Sequence, residues 1–192
     1  MGGTVSATGR GQNQSMDTPF ALRPATEGDV EAIVGLIGEL AEFEKLTHLM
    51  RIAPEDLRRD LFGPRPFAEA VVAQLEEGGS QCPVIAFALF FHNYSTFLGR
   101  PGLYLEDLYV QPAHRSRGVG TALLRHLGAL AVERGCGRFE WSVLDWNVNA
   151  IGFYEKMGAT VMPEWRICRV TGEALQAFAP RRPGAALAER ED

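Results

Sequence analysis

The stretch Val110-Gln111-Pro112-Ala113-His114-Arg115-Ser116-Arg117-Gly118-Val119-Gly120-Thr121 decides the fold. It closes an apolar run, turns at Pro112, and passes through Arg115-x-x-Gly118-x-Gly120 into residues at helical spacing. Glycine has no Cβ, so the backbone there can turn successive N–H groups toward one point. The helix that follows adds the N–H groups of its first turn and the positive end of its dipole. Strand, glycine loop and helix together suit a pyrophosphate. A Gly-x-Gly on its own is equally a plain turn, so the flanking sequence has to choose.

Upstream, Phe20-Ala21-Leu22-Arg23 reads as a first strand, and Thr26 with Asp29 three residues on forms an approximate capping box. Val30, Ile33, Val34, Ile37, Leu40 and Ala41 then recur at helical spacing as one buried stripe. Pro54 opens a shorter helix through Leu57 and Leu61 that stops at Gly63. Ala68 to Leu75 and Pro83 to Asn93 are rich in strand formers, with the turn Glu76-Glu77-Gly78-Gly79-Ser80 between them. Leu103 to Val110 is a further strand, reached through a loop from Ser95 to Gly102.

Downstream of the glycine loop, Ala122, Leu123, Leu127, Leu130 and Ala131 predict a helix that Gly135 and Gly137 end. Phe139 to Leu144 reads as a strand, Asn147 to Met157 as a helix stopped by Gly158, and Val161 with Trp165 to Val170 as the last strand. This order predicts an α/β (α+β) fold: a twisted, mixed, mostly antiparallel sheet with helices on both faces. One parallel step crosses the glycine-loop helix. Residues 1–17 have almost no large apolar side chain and read as a disordered leader, with Met16 as an alternative start. Residues 18–178 make the domain, and 179–192 a flexible C-terminal tail.

A chain of 192 residues, 46% apolar, is sized for a single domain with a substantial core. Its net charge of −5 argues against nucleic acid or an anionic membrane as partner and is compatible with a cationic small molecule. Cys82, Cys136 and Cys168 are odd in number and show no metal or redox spacing, which suits reduced thiols in the cytoplasm. His48, His92, His114 and His126 have no ligand spacing either, so no metal is expected. No apolar run has the length of a membrane span, and the N-terminus has no signal-peptide core.

Arg115-x-x-Gly118-x-Gly120 after a strand, followed by Asn147-x-x-Ala150-x-x-Phe153-Tyr154-x-x-x-Gly158, resembles the Gcn5-related N-acetyltransferases, the GNAT family. Two pairs of stretches point to the diamine acetyltransferase branch, with wording nearer to its thialysine Nε-acetyltransferases than to its spermidine/spermine enzymes. One pair is Arg23-Pro24-Ala25-Thr26 with Glu39-Leu40-Ala41-Glu42-Phe43-Glu44-Lys45-Leu46. The other is Tyr104-Leu105-Glu106-Asp107 with Leu144-Asp145-Trp146-Asn147. The resemblance implies acetyl-CoA as co-substrate, lying across Arg115, Ser116, Arg117, Gly118, Val119, Gly120 and Thr121. Main-chain groups of Leu108, Tyr109 and Val110 would receive its pantetheine arm as an added strand does. Asn147 and Ala150 fall at the matching cofactor positions. On local grounds Asn147 is equally a helix N-cap, and the two roles are compatible.

The resemblance also gives Tyr154 the protonation of the departing CoA thiolate, against its plain reading as a core aromatic on an amphipathic helix. Glu106 and Asp107 interrupt an apolar strand. They read either as solvated residues or as acceptor-site carboxylates, and regular alternation would put them on opposite faces. In the family-like arrangement Glu106 removes a proton from the substrate ammonium through a water, and Phe43 and Glu44 match substrate-contact positions; Asp107, and Trp165 with Glu164 as a pocket wall, are further substrate-binding candidates. Trp165 is equally a core aromatic. Lys45 to Met50 lack the acids a long polycation needs, and Ser95 and Phe97 stand where the polyamine enzyme has an acid and a tryptophan. A lysine-like amino acid or short diamine therefore fits better than spermine. The alternatives are polyamine acetylation, protein lysine or N-terminal acetylation, and a non-catalytic acyl-CoA sensor. The family habit of shared sites implies a homodimer.

Overall fold

The computed structural model describes residues 19–76 and 82–179. The leader, the turn residues 77–81 and the tail from 180 lie outside them. The chain forms two compact units, one ending at Leu144 and the other beginning at Asp145.

The first unit holds a five-stranded sheet in the order β1-β2-β3-β4-β5, with β1 Phe20–Pro24, β2 Glu69–Leu75, β3 Val84–Ser95, β4 Arg100–Val110 and β5 Arg138–Trp141. The first three pairings are antiparallel and β4–β5 is parallel, so the expected mixed sheet with one parallel step is present. The parallel step is crossed by the helix α3, Val119–Glu133, which contacts all five strands. On the other face lie α1, Val30–Phe43, and α2, Pro54–Phe62.

Strand alternation divides the core between these helices. Val30, Ile33 and Leu36 of α1 and Leu57 and Leu61 of α2 cluster with Ala70, Val72, Phe87 and Tyr109. Neighbouring sheet positions Val71, Ala73, Ala86 and Ala88 are also buried and face the opposite way, toward the side where α3 buries Leu123, Leu124 and Leu127. Phe87, wholly buried, contributes about 2–3 kcal/mol by this burial alone. The predicted stripe of α1 holds, with Leu36 added to it and Val34, Ile37 and Leu40 packed at its edge.

The start of α1 is fixed by charge. A short 3-10 turn at Glu27–Asp29 leads into it, and the Asp29 carboxylate accepts from the Thr26 N–H and hydroxyl, each at 2.7 Å. Both Arg23 Nη atoms also donate to Asp29 at 2.7 Å, while Arg23 Nε donates to Gln74 on β2. This pairing with Arg23 holds the Asp29 carboxyl down at about 2.

Three expectations need correction. The β3–β4 connection is shorter than Ser95 to Gly102: the strands run on through Ser95 and start again at Arg100. Ser95, buried, closes the remaining turn by accepting the Leu98 N–H, and Gly99 takes a φ of +60°. Pro101 and Gly102 look like loop residues, yet both pair with β3, at Tyr94 and Asn93. Gly102 is required there because the Asn93 and Arg138 side chains fill the space a Cβ would occupy. Strand β5 stops at Trp141 rather than Leu144, where its partner strand bulges. No strand forms over Val161 or Trp165 to Val170; that segment is irregular and solvent-exposed, without the ladder partner a strand needs.

The second unit contains α4, Val148–Lys156, and the short α5, Gly172–Gln176. Gly158, with φ +95°, follows the end of α4 as expected.

Candidate active site

β4 carries the centre of the site. Its register against β3 pairs Asp107 with Leu89 and Leu105 with Phe90, so Glu106 is an extra residue without a partner. This is a β-bulge, and it changes the direction of the carboxylates. Asp107 alternates with Tyr109, whose ring lies in the α1 core; Glu106 alternates with the buried Leu105, which pairs with Phe90 on the opposite side. Asp107 therefore faces the α1 side with Tyr109, while Glu106, the extra residue of the bulge, is exposed and no longer tied to regular alternation. Electrostatics agree. Burial, then the charges of Glu106 and Glu44, push the Asp107 carboxyl up to about 6. Burial likewise raises Glu44, the residue that caps α1.

The bulge also ends sheet pairing. β5 accompanies β4 only from Gly102 to Leu105. Beyond that, the outer edge of β4 has no strand partner among the described residues. The Gln111 N–H donates to Ile85 O at 3.0 Å, which makes that pair hydrogen-bonded. In an antiparallel ladder such pairs alternate, so Tyr109 turns its main-chain groups to β3, while Leu108 and Val110 turn theirs to the open edge. Of these, Val110 O already accepts from Arg115 Nε at 2.9 Å. Leu108 thus offers both an N–H and a C=O, Val110 an N–H, and Tyr109 neither.

The glycine loop follows at the end of β4. Gly118 is the N-cap of α3 with φ +82°, and Ser116 also takes a left-handed φ of +61°. Such a φ costs an L-residue about 1–2 kcal/mol, which explains glycine at 118. The first helical bond runs from Ala122 N–H to Gly118 O. The N–H groups of Val119, Gly120 and Thr121 therefore have no acceptor within the helix. Arg117 lies exposed in the loop. Arg115 does not turn inward with it: its N–H donates to Pro112 O, and its guanidinium stacks 5.2 Å from the Phe43 ring and 5.4 Å from the Tyr109 ring.

One residue of this region had no role in the sequence reading. Glu39 accepts from the Tyr109 hydroxyl at 3.1 Å and from Gln111 Nε2 at 2.9 Å. It ties α1 to the end of β4. Burial and then this bond raise the Tyr109 hydroxyl. An acid set between Gly38 and Leu40 on an otherwise apolar face was the available signal.

In the second unit, Asn147 is the N-cap of α4, its Oδ1 accepting from the Ala150 N–H at 3.2 Å. Tyr154 is partly buried, its ring 5.3 Å from that of Phe153. Trp165 is 70% exposed, so its reading as a core aromatic is excluded.

A family model described as the acetyltransferase (GNAT) family matches residues 37–159, more than half of the chain. The chain belongs to the GNAT acetyltransferase family. It is an N-acetyltransferase, as its relatives at high coverage are. The thialysine Nε-acetyltransferase of Mus musculus is 40% identical over 168 residues, covering 83% of this chain and 97% of its own. The L-ornithine N5-acetyltransferase NATA1 of Arabidopsis thaliana is 39% identical over 197 residues, covering 82% and 86%. Among solved structures, an integron cassette protein from V. cholerae superposes with a TM-score of 0.67 at 22% identity, over 82% of this chain and 96% of its own, which shows the shared GNAT fold. The GNAT family uses acetyl-CoA. Among the described residues, no helix is long and apolar enough to cross a membrane.

Proposed function

We propose that this N-acetyltransferase acetylates the side-chain amine of a small diamino acid such as lysine, thialysine or ornithine, or a short diamine. The observation that carries the reading is the pair Glu106 and Asp107 at the β4 bulge, with Glu44 at the end of α1 close enough for its charge to act on Asp107, beside the unpaired edge at Leu108. Carboxylates in this position attract a cationic amine and are placed to take its proton. Relatives named for thialysine and ornithine support the class. The absence of acids from Lys45 to Met50 counts against a long polycation.

The residues present fit acetyl-CoA. The open β4 edge suits an amide-bearing arm, and the N–H groups from Val119 to Thr121, with left-handed Gly118 ahead of them, suit a pyrophosphate. When bound, acetyl-CoA supplies the thioester from which the acetyl group is transferred. Glu106 removes the proton of the substrate ammonium through an ordered water, lowering the barrier for a group whose ordinary pKa is about 10.4. The Leu108 N–H lies where it can stabilise charge growing on the thioester oxygen. Tyr154 hands a proton to the departing thiolate, and Asn147 positions the start of α4. Phe43 contacts the amine from the end of α1, and Trp165 is a further candidate substrate contact. Transfer is direct, with no acetyl group carried on the protein.

The enzyme would work as a cytoplasmic homodimer. The exposed apolar side chains Val161, Met162, Trp165, Ile167 and Val170 support an interface, which light scattering would test. The deciding experiment is CoA release across lysine, thialysine, ornithine, diamines and polyamines. Turnover is expected to be highest with a diamino acid or short diamine and to fall sharply in Glu106→Gln. Spermine as the best substrate, or no turnover while acetyl-CoA still binds, would refute the reading.

A further inference from the structure

Arg115 opens the glycine loop in sequence, yet its charge lies elsewhere. Its N–H is spent on Pro112 O, its Nε on Val110 O, and its guanidinium stacks on Phe43, the last residue of α1, and on Tyr109 of β4. The residue is solvent-exposed. Two rings and a carbonyl thus hold a permanent cation on the α1 side of β4, the face that bears Asp107. Glu44 follows Phe43 directly, and Asp107 is two residues from Tyr109 on the same strand face, about 7 Å along it. Opposite charges therefore stand on the same side of β4, Asp107 before Tyr109 and Arg115 beside its ring.

We infer that Arg115 takes the carboxylate of a zwitterionic acceptor and so selects a diamino acid over a diamine of the same length. The inference rests on the diamino acid reading above. The planar guanidinium presents five N–H donors in a fork matched to a carboxylate; Nε is given to Val110, and the side chain also acts on the Tyr109 hydroxyl. Stacking between Phe43 and Tyr109 sets that fork without consuming its charge. An acceptor with its ammonium at Glu106 and Asp107 reaches Arg115 with its other end. There a carboxylate is attracted, whereas the second ammonium of a diamine meets a like charge. Discrimination therefore has an attractive and a repulsive part.

The test compares lysine with lysinamide and with cadaverine, which keep the terminal amine and lack the carboxylate. In the unaltered enzyme kcat/KM for lysine should exceed that for either analogue by about tenfold or more, the range expected for one charge-assisted contact. At saturating acetyl-CoA, Arg115→Gln should collapse the lysine-to-cadaverine ratio of kcat/KM by a similar factor, whatever it does to both values together, and Arg115→Lys should restore part of the preference. Equal losses for lysine and cadaverine would overturn the inference, since a donor-side or purely structural role weakens both alike. Equal use of lysine and lysinamide by the unaltered enzyme overturns it without any variant, and so decides the matter if Arg115→Gln does not fold. Turnover of cadaverine but not lysine overturns this inference and spares the enzyme reading. No turnover of any of the three removes both.

Discussion

Replacing Asp107 by Asn should stabilise the protein at neutral pH and weaken its hold on the amine. The carboxyl titrates at about 6 in the folded chain against an ordinary 3.8, because it is desolvated and faces Glu106 and Glu44. The folded state therefore binds this proton more tightly than the unfolded state. Stability falls as pH rises from about 4 to about 6, and the whole penalty is present above that. The rise from 3.8 to about 6 corresponds to about 3 kcal/mol at most, and partial solvent access reduces it to about 1–2 kcal/mol. Asn keeps the shape and removes the charge, so its melting temperature at pH 7.5 should exceed that of the parent by about 2–8 °C. The difference should shrink to nothing near pH 4, where Asp107 is protonated in both states. Melting by calorimetry at half-unit steps between pH 4.5 and 7.5 reads this directly. KM for the amine should rise in the same variant, since one attracting charge is gone. A pH-independent offset, or a destabilised Asn variant at pH 7.5, would refute the argument.

Gly118→Ala must hold a φ of +82° with a Cβ present, so it should raise KM for acetyl-CoA several-fold while lowering stability by only about 1 kcal/mol, as separate kinetic and urea measurements would show. Gly102→Ala should destabilise by about 1–3 kcal/mol in urea unfolding, because the Asn93 and Arg138 side chains occupy the space of the new Cβ. Asp29→Ala should cost about 2 kcal/mol at neutral pH and flatten the acid limb of the stability curve. Its folded carboxyl sits at about 2, so the contribution is full above about pH 4 and is lost as pH falls toward 2. Chemical denaturation from pH 2 to 7 checks both features.

The sequence was most legible where one local cause sufficed. The helix after the glycine loop, the α1 stripe from Val30 to Leu40 and the Thr26–Asp29 start each depend on periodicity or on side chains three or four residues apart. Legibility failed where a second strand decides the outcome. Pro101 and Gly102 read as loop because their own propensities say so. What holds them in β4 is pairing with Tyr94 and Asn93, together with the space that Asn93 and Arg138 claim over Gly102. The apolar run from Trp165 to Val170 has the composition of a strand and forms none, since composition does not supply a ladder partner. At the site, the residue types that bear chemistry were visible, but the direction of each was not. Arg115 belongs by motif to the loop and by geometry to the α1 side; the pull of two aromatic rings and a carbonyl is a tertiary fact.

The single extra residue at Glu106 links most of these features. In a regular ladder, Glu106 and Asp107 would point to opposite faces, and β5 could follow β4 past Leu105. The bulge breaks that alternation, and Asp107 on the α1 side is raised first by burial and then by the charges of Glu106 and Glu44. It also coincides with the end of β5 pairing, which leaves the Leu108 main chain open at the place where acetyl transfer is proposed. Amine attraction and carbonyl polarisation then depend on the same backbone irregularity, one through side chains and the other through an N–H. Removing the extra residue would therefore restore regular alternation at the two acids and close the open edge at the same time.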